Sequence, residues 1–228
     1  EIGAQRVNRV RLLLATLLIA ALHWLMFGRL LPAAASAESI SWLVLSGIVG
    51  LVLGDICLMQ AFVMIGPRLS MLVMALAPMI ATVIAWVFLN ETLDTPTIIG
   101  ILLAVGGVSL VVIERPNGGT SSVAVTGRDY QIGLLFALGG SLGQAGGTVL
   151  SRLGLAEGME PLSASLIRLA VGTVVIWGIA VVGGRVGGTI TALREHPGAR
   201  LRLLGGSVAG PVIGIWLSLV AVQRTSVG

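Results

Sequence analysis

The sequence predicts an all-α integral membrane protein, a polytopic helix bundle built from two related sets of helices, and three observations carry that reading. Hydrophobic residues make up 56% of the 228 residues and charged ones only 11%, far below the roughly 25% charge of soluble domains. Seven apolar runs are long enough to cross a bilayer, at about residues 9–28, 40–65, 69–89, 96–113, 130–152, 161–183 and 200–223. Part of the chain also occurs twice. GIVGLVLGDICLMQAFVMIGPRL at 47–69 returns 160 positions later as SVAGPVIGIWLSLVAVQRTSVG at 207–228, with Gly50 answering to Gly210, Gly54 to Gly214 and Ala61 to Ala221.

Composition excludes several classes. Uninterrupted apolar runs, without strand alternation, rule out a transmembrane β-barrel. All 14 basic residues are Arg, so chemistry that needs Lys, such as a Schiff base or a phosphate-loop lysine, is absent. The pI near 10.9 suits nucleic acid less well than membrane topology, because the arginines are scattered at helix ends and form no stripe with interleaved aromatics. Cys57 stands alone in an apolar run and reads as a small buried hydrophobe. No cofactor and no metal site are expected.

The first segment, with Arg9 and Arg11 before LLLATLLIAALHWLMF and AAASAES after it, imitates a secretory signal. Its length and an echo favour a genuine repeat helix: RLLLATLLIA from Arg11 is matched by RLAVGTVVIW from Arg168, 157 positions on. The second segment carries Asp55 near its middle. A charge there costs about 2.5–3.5 kcal/mol on insertion scales and calls for a partner, a watery cavity or a proton. Two readings stand side by side, a cavity-facing carboxylate that couples transport to protons and a paired Asp that locks helices together. The repeat has Ile215 at the matching place. Gln60 and Gln144 are further midmembrane polar groups, as substrate ligands or as interhelical glue.

The third segment holds Pro78, which frees a backbone carbonyl and either bends during a transport cycle or makes a static kink. Glu91, at its end, is expected to cap a neighbouring helix N-terminus or to serve ion coupling. The fourth opens on Gly100 and carries Gly107. Residues 114–131 form the linker between repeats, and 183–200 form a second polar break. In the fifth, Gly139, Gly143 and Gly147 fall four apart and read as a small-residue face for close helix approach, as do Gly50/Gly54 and Gly210/Gly214. Arg168, two turns into the sixth segment, either snorkels to the interface or reaches inward to hold an anionic group. Trp216, in the seventh, either walls a cavity or faces lipid.

Duplicated membrane halves are the usual architecture of secondary carriers. If Arg168 lies in the second helix of its unit, each unit holds five helices, and an odd number inverts the second unit relative to the first. Alternating the spans puts Arg6, Arg9, Arg11, Arg68, Arg115, Arg128, Arg185, Arg194, Arg200 and Arg202 on one side, with Arg29, Arg152, Arg168 and Arg224 on the other. The positive-inside rule places the larger group in the cytoplasm.

The block ALAPMIATVIAWVFLNETLDTPTIIGILLAVGGVSLVV, with Pro78, then Glu91, then Gly100 and Gly107-Val108, resembles the ten-helix EamA type of the drug/metabolite transporter superfamily. Asn90 stands where that family commonly has Gly. The resemblance implies a first repeat over 1–115 lacking its first helix, a linker over 116–130 and a second repeat over 131–228 lacking its last two, together helices two to eight of ten. It implies an exporter or exchanger of a small metabolite or drug-like solute, in the bacterial inner membrane, working by alternating access. The family's usual orientation is opposite to that of the charge count, so orientation stays open. The expected partners are a small-molecule substrate, the lipid bilayer and protons, with no nucleic acid; a monomer and a homodimer are both compatible. Two other classes compete. An intramembrane serine hydrolase would use Ser141 with His23 or His196, and a seven-helix receptor is suggested by the span count alone.

Overall fold

The computed structural model describes residues 3–29, 36–113, 127–155, 158–195 and 197–224. Every element among them is helical. In chain order they are α1 (Ala4–Phe27); α2 (Ala37–Ser46), which continues through a π-helical stretch (Gly47–Gly54) into α3 (Asp55–Met74); α4 (Ala77–Leu89); α5 (Thr95–Ile113); α6 (Gly127–Leu155); α7 (Pro161–Val182); α8 (Val186–Glu195); and α9 (Pro197–Ser207), which continues through a second π-helical stretch (Val208–Gly214) into α10 (Ile215–Arg224). Six helices are long and apolar enough to cross a membrane, and Ala77–Leu89 is a shorter apolar one. Large side chains point out of the bundle, Val182 at 91% exposure, Ile113 at 78% and Phe88 at 75%. In water each would forfeit the roughly 25 cal/mol per Å² that burial returns, whereas lipid accepts them.

Local chemistry sets the boundaries. Gly28 closes α1 in the left-handed region (φ 66°), its N–H bonded to Trp24 O. Ser36 caps α2, its hydroxyl accepting from Ser39 N at 3.0 Å. Gly66, at φ 81° and ψ 160°, breaks α3 just before Pro67, so the polypeptide bends where the second and third apolar runs meet. A second break at Ala75 and Leu76 puts Pro78 in the first turn of α4, where its missing N–H would be unpaired anyway. Pro78 therefore starts a helix and does not free a carbonyl inside a continuous one. At this break Val73 O accepts from Leu76 N at 3.0 Å and from Ser141 Oγ at 2.9 Å.

Two polar stretches differ from the expectation. α6 begins at Gly127, so residues 127–130 of the expected linker are helical; the rest of it, 116–126, lies outside the described residues, as do Arg115 and His196. The break at 183–200 contains α8, which buries Thr189 and Ala192. Its glycines hide an amphipathic turn pattern that two buried positions suffice to dock.

α6 is the central post. α2, its π-helical continuation, α3 and α4 all pack around it, while α1 lies along α7 and α10 rests on α7. The glycines of α6 set the spacing. A Cβ on Gly143 would fall 2.6 Å from Gly54 Cα, and one on Gly147 would fall 2.8 Å from Gly50 Cα. The backbones touch there, and only glycine fits. A main core of Leu12, Ala15, Ile19, Leu51, Val52 and Leu169 joins α1 and α7 to the first π-helical stretch, and Ile215 and Trp216 pack against it.

Candidate functional site

Three contacts fix α1 and α7 as antiparallel neighbours. Trp177 Nε1 donates to Arg9 O at 3.2 Å, Thr16 and Thr173 hydroxyls meet at 2.7 Å, and His23 Nε2 lies 2.9 Å from Ser163 Oγ. Thr16 and Thr173 are 157 residues apart, the offset of the RLLLATLLIA and RLAVGTVVIW echo, and each is the thirteenth residue of its helix, near its middle. The π-helical stretches also coincide under the 160-residue offset, ending at Gly54 and at Gly214.

Arg11 and Arg168 are the eighth residues of the same two helices. Because the helices are antiparallel, the arginines lie on opposite sides of the threonine contact, each about 7.5 Å from it along the axis at 1.5 Å per residue. Their surroundings differ. Arg11 Nη2 makes an ion pair with Asp55 Oδ2 and bonds Asn8 Oδ1 at 2.9 Å. Asp55 is 5% exposed and follows directly on the π-helical stretch. Gln5 Nε2 reaches the next carbonyl, Ile56 O, at 3.2 Å. Asp55 thus has the partner that its depth demands.

Arg168 has none. It is 3% exposed and makes no hydrogen bond or ion pair among the described residues, and its Nε is buried without an acceptor. It does not snorkel. Its main chain lies against Gly47, whose Cβ would fall 2.8 Å from Arg168 O, and its guanidinium lies beside Gly50. A Cβ at Gly50 would sit 3.4 Å from Arg168 Nη2 and 3.6 Å from Gln144 Oε1, which is itself buried without a partner. Arg168, Gln144 and Gly50 therefore converge, as do Asp55 and Arg11.

The remaining candidates are dispersed. Gln60 is half-buried without a described hydrogen bond. Trp216 is half-buried and packs against the α1–α7 core. Glu91 pairs with Arg152 in the last turn of α6, so it meets a side-chain cation instead of capping a helix N-terminus. Gly139 packs toward Cys57 Sγ, 3.3 Å from its would-be Cβ. Gly100 and Gly107 lie on α5, which buries no residue, and a Cβ at either meets nothing within 4 Å. The same holds for Gly210, and Gly214 would touch only Ala209 O of its own helix at 3.6 Å. These two are not packing glycines among the described residues, because no helix there lies opposite them as α6 lies opposite Gly50 and Gly54.

Among the described residues Ser141 has no histidine beside it. Its hydroxyl bonds Val73 O and Ala137 O, while His23 is engaged by Ser163 Oγ and by Arg29 O at 2.8 Å. Sequence reasoning missed Asn8, Arg9 and the threonine contact. Arg9 is 7% exposed and its Nη1 bonds Thr189 Oγ1 at 2.9 Å, tying α8 to α1. Beside it, an open cleft of about 680 Å³ is lined by Gln5, Arg6, Arg9, Val63, Arg185 and neighbouring glycines, a basic mouth on the Arg11 side. The thresholds for recognising Thr16 and Thr173 were met by the echo itself, which aligns them.

No curated protein matches the chain. The model of the EamA-like transporter family matches residues 1–113 and 131–228. With its apolar spanning helices, the chain belongs to the EamA-like transporter family and is an integral membrane transporter.

Proposed function

We propose that this transporter exports or exchanges a small metabolite or drug-like solute by alternating access between two inverted repeats, over 1–115 and 131–228, in a bacterial inner membrane, with Asp55 carrying the coupling proton. The observation that carries the reading is the threonine contact at mid-helix, flanked by repeat-related arginines, of which Arg168 is buried and Arg11 half-buried against the buried Asp55. Charges are retained there at a cost of about 2.5–3.5 kcal/mol each, and they mark a pathway more readily than a static core. The glycine seam of α6 lacks interlocking side chains, which suits helices that must rock against one another.

The coupling follows from the pair. Ionised Asp55 holds Arg11, and with it α1, against the end of the first π-helical stretch; the other polar groups at this point are Asn8, on Arg11, and Gln5, at Ile56 O. A proton on Asp55 removes the charge that holds Arg11 and releases α1. In proteoliposomes with the full-length protein and an imposed pH gradient, Asp55→Asn should lower proton-driven flux at least about tenfold while the protein stays folded. Flux with the wild-type pH dependence would reject the coupling role. Gly100, Gly107 and Pro78 are assigned to the conformational frame, and Gln60 and Trp216 to the wall of the pathway.

A further inference from the structure

Among the described residues Arg11 has a carboxylate partner and Arg168, its repeat equivalent, has none. We infer that Arg168, with Gln144 beside it at Gly50, binds the anionic group of the transported solute, a carboxylate or phosphate, while a hydrogen-bond donor of the same solute meets Gln144. This rests on the carrier reading and names the class of its substrate.

A guanidinium stays charged in proteins, and a buried charge without a partner is among the most unfavourable arrangements a fold can hold. The described residues supply no counter-ion. Of the described carboxylates, Asp55 is held by Arg11 and Glu91 by Arg152, and Glu38, Asp94, Asp129, Glu160 and Glu195 are exposed at helix ends. Register explains the vacancy, since Ile215 stands where the repeat would place the equivalent of Asp55. The two side chains also meet at one point: a Cβ at Gly50 would touch Arg168 Nη2 at 3.4 Å, Gly147 Cα at 3.4 Å and Gln144 Oε1 at 3.6 Å. An unmatched donor and an unmatched acceptor beside one glycine call for a ligand that carries both complements. A carboxylate matches the planar guanidinium in two parallel bonds, and a phosphate does the same. A hydroxyl or N–H next to the anionic group satisfies Gln144.

The test uses the full-length protein in neutral detergent, reading the thermal midpoint with lactate, propionate, lactamide or inorganic phosphate. Phosphatidylglycerol against phosphatidylcholine is a separate arm. Lactate or phosphate should raise the midpoint and lactamide should not; propionate, without the hydroxyl, should bind more weakly than lactate. Arg168→Gln should weaken anion binding about 10- to 100-fold. Gly50→Ala keeps the charge and sets a methyl against Arg168 Nη2 and Gln144 Oε1, and should weaken it about tenfold, which keeps the question decidable if Arg168→Gln does not fold. Equal stabilisation by lactamide, or wild-type anion binding in both variants, overturns the inference. Stabilisation by phosphatidylglycerol alone gives the site to a lipid headgroup and overturns it as well. Arg168-dependent anion binding without flux of that anion in proteoliposomes rejects the carrier reading and keeps the site. Flux of a neutral or cationic solute that ignores Arg168→Gln does the reverse.

Discussion

Arg11 and Arg168 occupy the same place in two helices that face each other, five residues before threonines that touch. Around Arg11 the fold supplies Asp55 and Asn8, and a basic cleft lies toward the start of the same helix. Around Arg168 it supplies two glycines, an unbonded glutamine oxygen and almost no exposure. Duplication copied the frame and left the charge pairing in one half only. On the proposed carrier reading, a symmetric frame would present both sides of the pathway in turn, whereas a symmetric pair of ion pairs would leave nothing for a solute to neutralise.

The comparison breaks most visibly at Asp55. Asp55→Ala strands Arg11, and removing one partner of a buried pair costs about 3–5 kcal/mol. Arg11 keeps 24% side-chain exposure, which lowers the expected loss to about 2–4 kcal/mol. Denaturant unfolding in detergent measures it, and the double variant Arg11→Ala with Asp55→Ala should be less destabilised than Asp55→Ala alone. A double variant at least as unstable would mean that the two residues act separately.

Ile215→Asp tests the same comparison from the other half by supplying the carboxylate that the repeat register omits. If the register is right, Arg168 gains an internal partner, and anion stabilisation should weaken about 10- to 100-fold while the thermal midpoint rises or holds. An unchanged anion response would show that the repeats diverge in backbone as well as in side chain at this point.

The glycine pairs come next. Gly147→Ala places a methyl 2.8 Å from Gly50 Cα and 3.0 Å from its nitrogen, and such overpacking costs about 1–3 kcal/mol. Gly210→Ala, at the repeat equivalent of Gly50, meets nothing within 4 Å and should stay within about 0.5 kcal/mol. Thermal midpoints of the two variants, measured side by side, check the difference.

These contrasts show where sequence was enough. The apolar runs follow from hydropathy, a local signal. The π-helical stretches were invisible, because a uniformly apolar run carries no periodicity to depart from. Glycine spacing identified a small face on α6 and on 206–214 alike, but spacing says nothing of what lies opposite, and only α6 found a backbone there. Asp55 announced its need for a partner, yet Arg11, 44 residues away, had already been explained as a flanking topology charge. The echo that aligns Arg11 with Arg168 contained the answer, since aligned arginines with one carboxylate between them imply one pair and one remainder.

The smallest predicted effect lies at the axis itself. Thr16 Oγ1 bonds Leu12 O at 2.8 Å and Thr173 Oγ1 at 2.7 Å. A hydroxyl has one proton, so Thr16 donates to Leu12 and accepts from Thr173. Thr173→Val then removes a donor whose acceptor stays satisfied by its other bond, and should cost about 0.5 kcal/mol. Thr16→Val leaves Thr173, only 8% exposed, without its acceptor and should cost about 1–1.5 kcal/mol. In the double variant the two losses should not add, because the second substitution removes the group that the first left unpaired. Equal single effects that add fully would mean that the hydroxyls do not bond across the axis, and that the repeats meet there by packing alone.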